Sequence, residues 1–425
     1  MQESTVVGRQ SPVAASHPGG SRHVCILSRV ALTLLCIATY RKGDEFLREC
    51  RRQGCRVLLL TEEKLRDADW PREAVDEFFY IRRDMPLEDI RKGAAHLART
   101  ERIDRIVALD DFDVELAAML REYLFVPGMG ETTARAFRDK LAMRRRARSA
   151  GIPCPRFVHT LHHPAIAEWT KDVPPPWVLK PRAQAAALGI KKLRSSDELW
   201  RALEVLGDNQ ADYLLEEFIP GDVYHVDSIV SGLRVRFAAA SRYDTPPFVV
   251  AHEGGIFVTR TLPASDPRAA ALLDMNANVL ESFRLMRGVS HTEFILAHDG
   301  RLYFLETSAR VGGAFIVDVV EAATGTNLWR EWARLEVAGE DGAYEPPAPQ
   351  DRSGGIILSL ARQESPDLSA YDDPEIVVRI RKAHHAGLIV ASPDSSRVSE
   401  LLTTYTKRFY ADFHASAPAP DRPTE

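Results

Sequence analysis

What this chain lacks narrows its function before anything present is considered. Its 425 residues contain no GxxxxGK[ST], so it is not a P-loop protein. GMGETT, Gly128–Thr133, is not a dinucleotide fingerprint, because Thr133 stands where the last glycine belongs. Five cysteines (Cys25, Cys36, Cys50, Cys55, Cys154) are odd in number and form no CxxC pair. That argues against a disulfide framework or zinc ribbon and fits a reducing, cytoplasmic setting. The longest apolar run, Val24–Tyr40, is interrupted by Arg29 and is short for a membrane span, so no membrane partner is expected. Basic residues are not in excess. The formal net charge is −5, against a nucleic-acid partner, and the densest basic run, Arg144–Arg148, is expected to be a solvated helix face. No internal repeat occurs.

What is present is an ordinary globular composition, 45% hydrophobic and 27% charged, in a chain long enough for two or three packed domains. Residues 1–30 are expected to be a disordered stretch or an extension, with Leu32–Thr39 as the first strand. Strands and helices then alternate. A helix at Gly43–Gln53 leads to the strand Arg56–Thr61; Glu77–Ile81 precedes a helix at Leu87–Thr100, and Arg105–Asp110 a helix at Phe112–Leu124. This alternation predicts parallel βα units, an open α/β domain over 31–130. Residues 131–350 form a second region, opening with one helix from Glu131 to near Gly151 and containing a β-rich lobe over 155–220. Glu345–Gly355 reads as a linker within these bounds, 351–412 as a small mixed subdomain, and 413–425 as a tail.

The most informative stretch is VSHTEFILAHDGRLYFLETSARVGG, Val289–Gly313. Asp299-Gly300 between apolar runs signals a hairpin. With a two-residue turn, Ala297 faces Leu302, Ile295 faces Phe304, Glu293 faces Glu306 and His291 faces Ser308, all on one side of the ladder. Two carboxylates so placed repel. A proton, an arginine or a bridging cation would relieve them, and hard oxygen ligands select Mg²⁺ or Mn²⁺. Arg310 continues the same face and suits an anion, while Gly312-Gly313 lets backbone N–H groups approach one. Lys180, at the end of a buried-looking strand, and Lys140 are candidate phosphate contacts. Leu214–Gly221 is a strand running into a turn, able to offer its backbone to an adenine edge.

Taken in order, DKLAMRRRARSAGIPCP, WVLKPRAQAAALGI, LLEEFIPGDVYHVD, HTEF and FLETSARVGG resemble the ATP-grasp superfamily, over roughly residues 31–412. The part after Gly354 is similar to the C-terminal subdomain of its carboxylate–amine ligase branch, which includes L-amino acid ligases. The resemblance implies a fold of mixed α/β and α+β class: a Rossmann-like pre-ATP-grasp domain, a two-lobed ATP-grasp fold and a small C-terminal subdomain. It further implies that Lys140 and Lys180 contact phosphates of ATP. Glu216, Glu217, Phe218 and Ile219 would form the adenine hinge, with Asp222 toward the ribose. Glu293 and Glu306 would hold Mg²⁺ (or Mn²⁺) beside Ser308, and Arg310 would steady the transferred phosphoryl group. Two departures stand out. Ser308 replaces the usual Asn, and the phosphate-covering loop has only Gly189. The implied reaction makes an amide from small-molecule carboxylate and amine substrates through an acyl phosphate, and the family's members are often homodimers. His252, Glu253 and Arg260, around a glycine pair, are candidates for the substrate pocket, with an ordinary hairpin loop as the alternative. A biotin-carboxylase-like enzyme is disfavoured by the missing glycine-rich loop and biotinyl site. A degenerate nucleotide-binding scaffold is disfavoured by the presence of both acids, both lysines and Arg310.

Overall fold

The structure is a computed structural model that describes residues 31–185, 187–339 and 344–416. The expectations for residues 1–30 and for the last residues of the tail lie outside them. The first strands, β1 (Thr33–Ala38), β2 (Arg56–Glu62), β3 (Glu77–Ile81) and β4 (Arg105–Ala108), alternate with α1 (Asp44–Arg52) and α2 (Leu87–Leu97) and are followed by α3 (Val114–Leu124). They pair in parallel in the order β3-β2-β1-β4. TLLCIA in β1 is apolar at nearly every position because both faces are covered. Strand order reverses about β1, which opens a crevice beyond the C-terminal ends of β1 and β4.

The helix expected from Glu131 to Gly151 is two helices, α4 (Glu131–Arg135) and α5 (Lys140–Ser149). The break is local chemistry. The Asp139 carboxylate accepts from Leu141 N and Ala142 N and so starts a new helix with Lys140 at its first position. Next come β5 (Phe157–His159), α6 (His163–Asp172), β6 (Trp177–Pro181), β7 (Lys191–Leu193), α7 (Ser196–Leu206) and β8 (Tyr213–Glu217). Their antiparallel sheet runs β5-β8-β6-β7.

The remaining elements are β9 (Gly221–Ser231), β10 (Arg234–Tyr243), α8 (Pro247–Glu253), β11 (Phe257–Thr261), α9 (Pro267–Phe283), β12 (Arg287–Ala297) and β13 (Leu302–Ser308), then α10 (Ile316–Thr324), α11 (Leu328–Ala338), β14 (Ser353–Leu360), β15 (Ile376–Lys382), β16 (His385–Ser392) and α12 (Ser395–Asp412). All eight strands from β9 on form one sheet, ordered β13-β12-β9-β10-β11-β14-β16-β15. Ser353–Gly355, expected to be linker, belong to β14, and the C-terminal strands extend the central sheet. Gly355 must be small there, since a Cβ would meet Leu402 Cδ1 at 2.6 Å.

The eight-stranded sheet has two different sides. Tyr224, Val226, Phe294 and Phe304 pack with Leu280 and Phe283 of α9 on one. On the other, Ile229, Phe237 and Val289 share a core with α10, α11 and the N-terminal sheet. Phe46 of α1 is fully buried and meets Trp332 of α11 edge-on, ring centroids 5.1 Å apart. Cys36, Cys50 and Cys55 are free thiols that fill the same core as apolar side chains. Among the described residues no helix is long and apolar enough to cross a membrane. Because one core joins α1 to α11, Phe46→Ala should destabilise the whole body from Leu32 onward, not one lobe. The expected loss is about 3–5 kcal/mol in a single cooperative transition, read by chemical denaturation.

Candidate active site

The hairpin places its acids as the spacing predicts, by a different route. His291 pairs with Ser308 and Glu293 with Glu306, but Phe294 pairs with Phe304 and Leu296 with Leu302. The turn is one residue longer than expected: Ala297 N bonds Arg301 O, with Gly300 at φ +83° in the loop. The register shift between Glu293 and Phe294 then restores the pairing at the acids. The apolar companions change accordingly. Ile295 lies with Tyr303 and Leu305, whereas Phe304 and Leu302 belong to the opposite core.

Each carboxylate has its own partner. Lys140 Nζ lies 3.1 Å from Glu306 Oε2. Burial would raise the Glu306 carboxyl, but Lys140 and then Lys180 hold it well below its usual range. Tyr243 donates its hydroxyl to Glu293 Oε1 at 3.0 Å, and His291 Nε2 stands 3.6 Å from the same oxygen. Behind them is a buried relay. Asp227 accepts from His225 Nδ1 at 2.7 Å and from His291 Nδ1 at 2.9 Å, and His225 Nε2 reaches Thr259 Oγ1 at 2.8 Å. Burial works against a His291 cation, but Asp227 and Glu293 outweigh it and raise the group to about 9. Gly312 is required here, because a Cβ would sit 2.7 Å from Asp227 Oδ1.

Lys180 and Glu216 form a second buried group. Lys180 Nζ is 2.7 Å from Glu216 Oε2, and Arg144 Nε is 2.7 Å from Glu216 Oε1. Arg144 is not on a solvated face, as expected for its basic run; it has 0% exposure, because it completes this ion triad under the sheet. Burial pulls the Lys180 ammonium down to about 8, with Glu216 opposing. Of the hinge residues, Glu217 is clamped by Arg156 Nε and Nη2, both at 2.9 Å. Glu217 N and Phe218 N donate to Arg156 O and Pro176 O, while Ile219 N has no partner among the described residues. Lys192, which sequence reasoning passed over, stands over the Phe218 ring at 3.6 Å.

Arg310 is half-buried, and its Nε has no partner among the described residues, while Nη1 donates to Val311 O at 2.7 Å. Arg310 helps to lower the buried Asp110 of the N-terminal crevice, where burial is opposed chiefly by Lys42. The loop toward α10 holds Ala314 and Phe315 at φ +49° and +61°, two left-handed non-glycine residues in succession. The covering loop is pinned from α5 and its approach. Lys140 Nζ donates to Gln184 O at 2.6 Å, and Arg138 bonds both Ala183 O and Asp111.

Other candidates fall elsewhere. Asp222 is exposed and bonds Arg242 at 3.0 Å, at a position alternate to the Asp227 face. Arg260 pairs with Asp244, and its neighbour Thr259 is the one turned toward His225. His252 lies in α8, a helix where a hairpin loop was the alternative, and is exposed against Phe248; Glu253 closes that helix. Gly313 has open space around it. Sequence reasoning did not find Asp110, Lys42, Arg138 or Arg144, which carry no motif and come together only in the fold.

The geometry fits a divalent cation and an anion. Two carboxylates and the Ser308 hydroxyl give hard oxygen ligands at the end of one hairpin, and Lys140, Lys180 and Arg310, whose Nε has no partner among the described residues, stand around them.

The comparisons agree with this fold. Residues 137–314 match the ATP-grasp domain model. That stretch carries an ATP-grasp domain. Among curated proteins, the chain is similar to amino acid ligases. It is 27% identical over 241 residues to a Bacillus subtilis protein named L-arginine-specific L-amino acid ligase, covering 55% of this chain and 58% of that one. It is 25% identical over 215 residues to a Cupriavidus metallidurans D-alanine--D-alanine ligase, covering 48% of this chain and 65% of the relative. The chain thus spans less than two thirds of the length of these curated relatives. In fold it is similar to an L-amino acid ligase from Bacillus licheniformis, with TM-score 0.68, 18% identity, and 90% of this chain and 98% of that one covered. A biotin carboxylase domain from Hydrogenobacter thermophilus, crystallised with MgADP, has TM-score 0.65 and 18% identity over 90% of each chain.

One titration in the site's N-terminal wall is open to measurement. Burial raises the Asp113 carboxyl to about 7, against hydrogen bonds from Thr39 N at 3.0 Å and Thr39 Oγ1 at 2.7 Å. A raised carboxyl contributes stability below the unfolded pKa and loses it as pH rises through 7. Asp113→Asn should therefore be more stable than the parent at pH 8, by about 1–3 kcal/mol, with the gap closing toward pH 4 in thermal melts.

Proposed function

We propose that the chain is an ATP-dependent, ADP-forming ligase that joins a small carboxylic acid or amino acid to an amine. The observation that carries this reading is the hairpin end. Glu293 and Glu306 face each other across a ladder, with Lys140 on one acid, His291 and Tyr243 on the other, and Arg310 Nε without a partner among the described residues. Such a set suits a metal-bound polyphosphate held without a P-loop.

In this reading Glu293 and Glu306 hold Mg²⁺ or Mn²⁺, with Ser308 adjacent; the ion, when bound, neutralises phosphate charge. Lys140 and Lys180 contact phosphate oxygens, and Ile219 N–H takes the adenine edge. The acid's carboxylate oxygen attacks the γ-phosphorus, forming a new P–O bond as the bond to ADP breaks. The amine nitrogen then attacks the acyl carbon, the C–O bond to phosphate breaks, and the amine gives up a proton. Arg310 stabilises the phosphoryl group as charge moves through it. The covering loop, pinned by Arg138 and Lys140, excludes water that would hydrolyse the acyl phosphate. Residues of α8 and Arg260 are left for the acceptor pocket, as is a homodimeric assembly for solution measurement.

The test is ADP release from ATP–Mg²⁺ over a panel of amino acids and small acids, with and without amines, and with hydroxylamine as a trap. Release that needs an acid, hydroxamate formation, and a loss of at least about a hundredfold in Glu306→Ala are expected. Bicarbonate-dependent release without another acid would mark a carboxylase instead, and absence of ATP binding would overturn the reading. A second expectation follows from Lys180. Its depressed pKa of about 8 means the cation is lost as pH rises through that value, so ATP affinity should fall between pH 7 and 9. Lys180→Arg, charged throughout, should flatten that dependence in a fluorescence or calorimetric titration.

A further inference from the structure

A second cavity lies around the start of β12. It has a volume of about 450 Å³, and its walls come from β4 (Arg105 to Ala108), α3, the loop before α4 and its first turn, the β9–β10 turn, the segment entering β12, Ala309 just past β13, and α11. Arg287 opens β12 six residues before Glu293, so these two residues are about 20 Å apart along the strand.

The charge in this cavity is unbalanced. Arg105, Arg121, Arg284 and Arg287 line it, and among the described lining residues Glu336 is the one acid. Glu336 is shared: Arg287 Nε lies 3.5 Å and Arg105 Nε 3.9 Å from Oε2, while Trp332 Nε1 donates to Oε1 at 3.1 Å. Arg121 is held by the carbonyls of Ile106 at 2.8 Å and Met129 at 3.0 Å, which fix its direction without neutralising it. Burial lowers Arg121 to about 10, with Glu336 opposing and Arg287 adding to the fall. The Arg287 side chain is nine-tenths buried, and its Nη1 is out of solvent with no hydrogen-bond partner among the described residues. An unpaired buried guanidinium donor is costly unless an anion completes it. The remaining wall is apolar, with Trp332, Met129, Leu285 and Ile106.

We propose that this cavity is a second ligand site, separate from the carboxylate cleft, for a small organic anion: a phosphate or dicarboxylate head seated on Arg287 and its neighbours, carried on an apolar or aromatic body. The volume is in the range of small-molecule pockets, and a mixed wall of guanidinium and apolar groups selects such a molecule over a bare ion. The site is independent of the ligase reading.

The test is calorimetric titration of the full chain with phenyl phosphate, phthalate and inorganic phosphate, each with and without ATP. One organic probe should bind at least about tenfold more tightly than inorganic phosphate, and the better of the two tells a phosphate source from a carboxylate one. ATP should leave its affinity unchanged. Arg287→Met should weaken it by about tenfold or more, the loss expected for one charged donor. Arg284→Glu, at an exposed position, should do likewise, and Glu306→Ala should not. Absence of binding by both organic probes, equal binding of inorganic phosphate, competition by ATP, or indifference to Arg284→Glu would each overturn the proposal.

Discussion

Two carboxylates facing each other across a β-ladder set the terms for the rest of this structure. Like charges so placed destabilise the pairing unless something positive arrives. Lys140 supplies it for Glu306, and it can do so because Asp139 caps a new helix one residue earlier. Glu293 is met by Tyr243 and His291 instead, and His291 is positioned by Asp227. The requirement spreads outward: Asp227 needs Gly312 to be small, and Gly312 begins the loop that carries Ala314 and Phe315 through left-handed conformations toward α10. Strain in that loop is held by the buried start of α10, where Ile316 and Val317 enter the shared core.

The same neutralisation ties the lobes together. Glu216 balances Arg144 and Lys180 beneath the small sheet, so the β-rich lobe over 155–220 is anchored to α5 by charge. Arg182 and Asp139 add a second link, and Arg138 joins the covering loop to Asp111 of the N-terminal domain. Three parts of the chain therefore converge on one helix start. On the far side, α1 and α11 share an apolar core, which sets the crevice at the ends of β1 and β4 against Arg310.

Much of this was legible in the sequence, and the legible parts share a cause. The βα alternation, the strand Glu77–Ile81 and the pairing of Glu293 with Glu306 are expressed in local periodicity and turn chemistry, which neighbours along the chain enforce. The hairpin is instructive, because its turn was one residue longer than expected and a compensating irregularity returned the acids to register. A polar pair with a purpose at the strand end and an apolar core at its middle constrain different halves of the same ladder.

The sequence by itself determined which segments are strands and helices, and which acids and cations are available, because these follow from side-chain period, caps and glycine placement. Tertiary structure alone decided what those charges do. Arg144 looked like part of a solvated run and is fully buried; Glu216 looked like a hinge residue and carries the Lys180–Arg144 ion group; Asp222 and Arg260 turned to other partners. Charge has no period of its own. Its role depends on burial and on partners far away in the chain, such as Glu216 for Arg144, and those are fixed only when the sheets close.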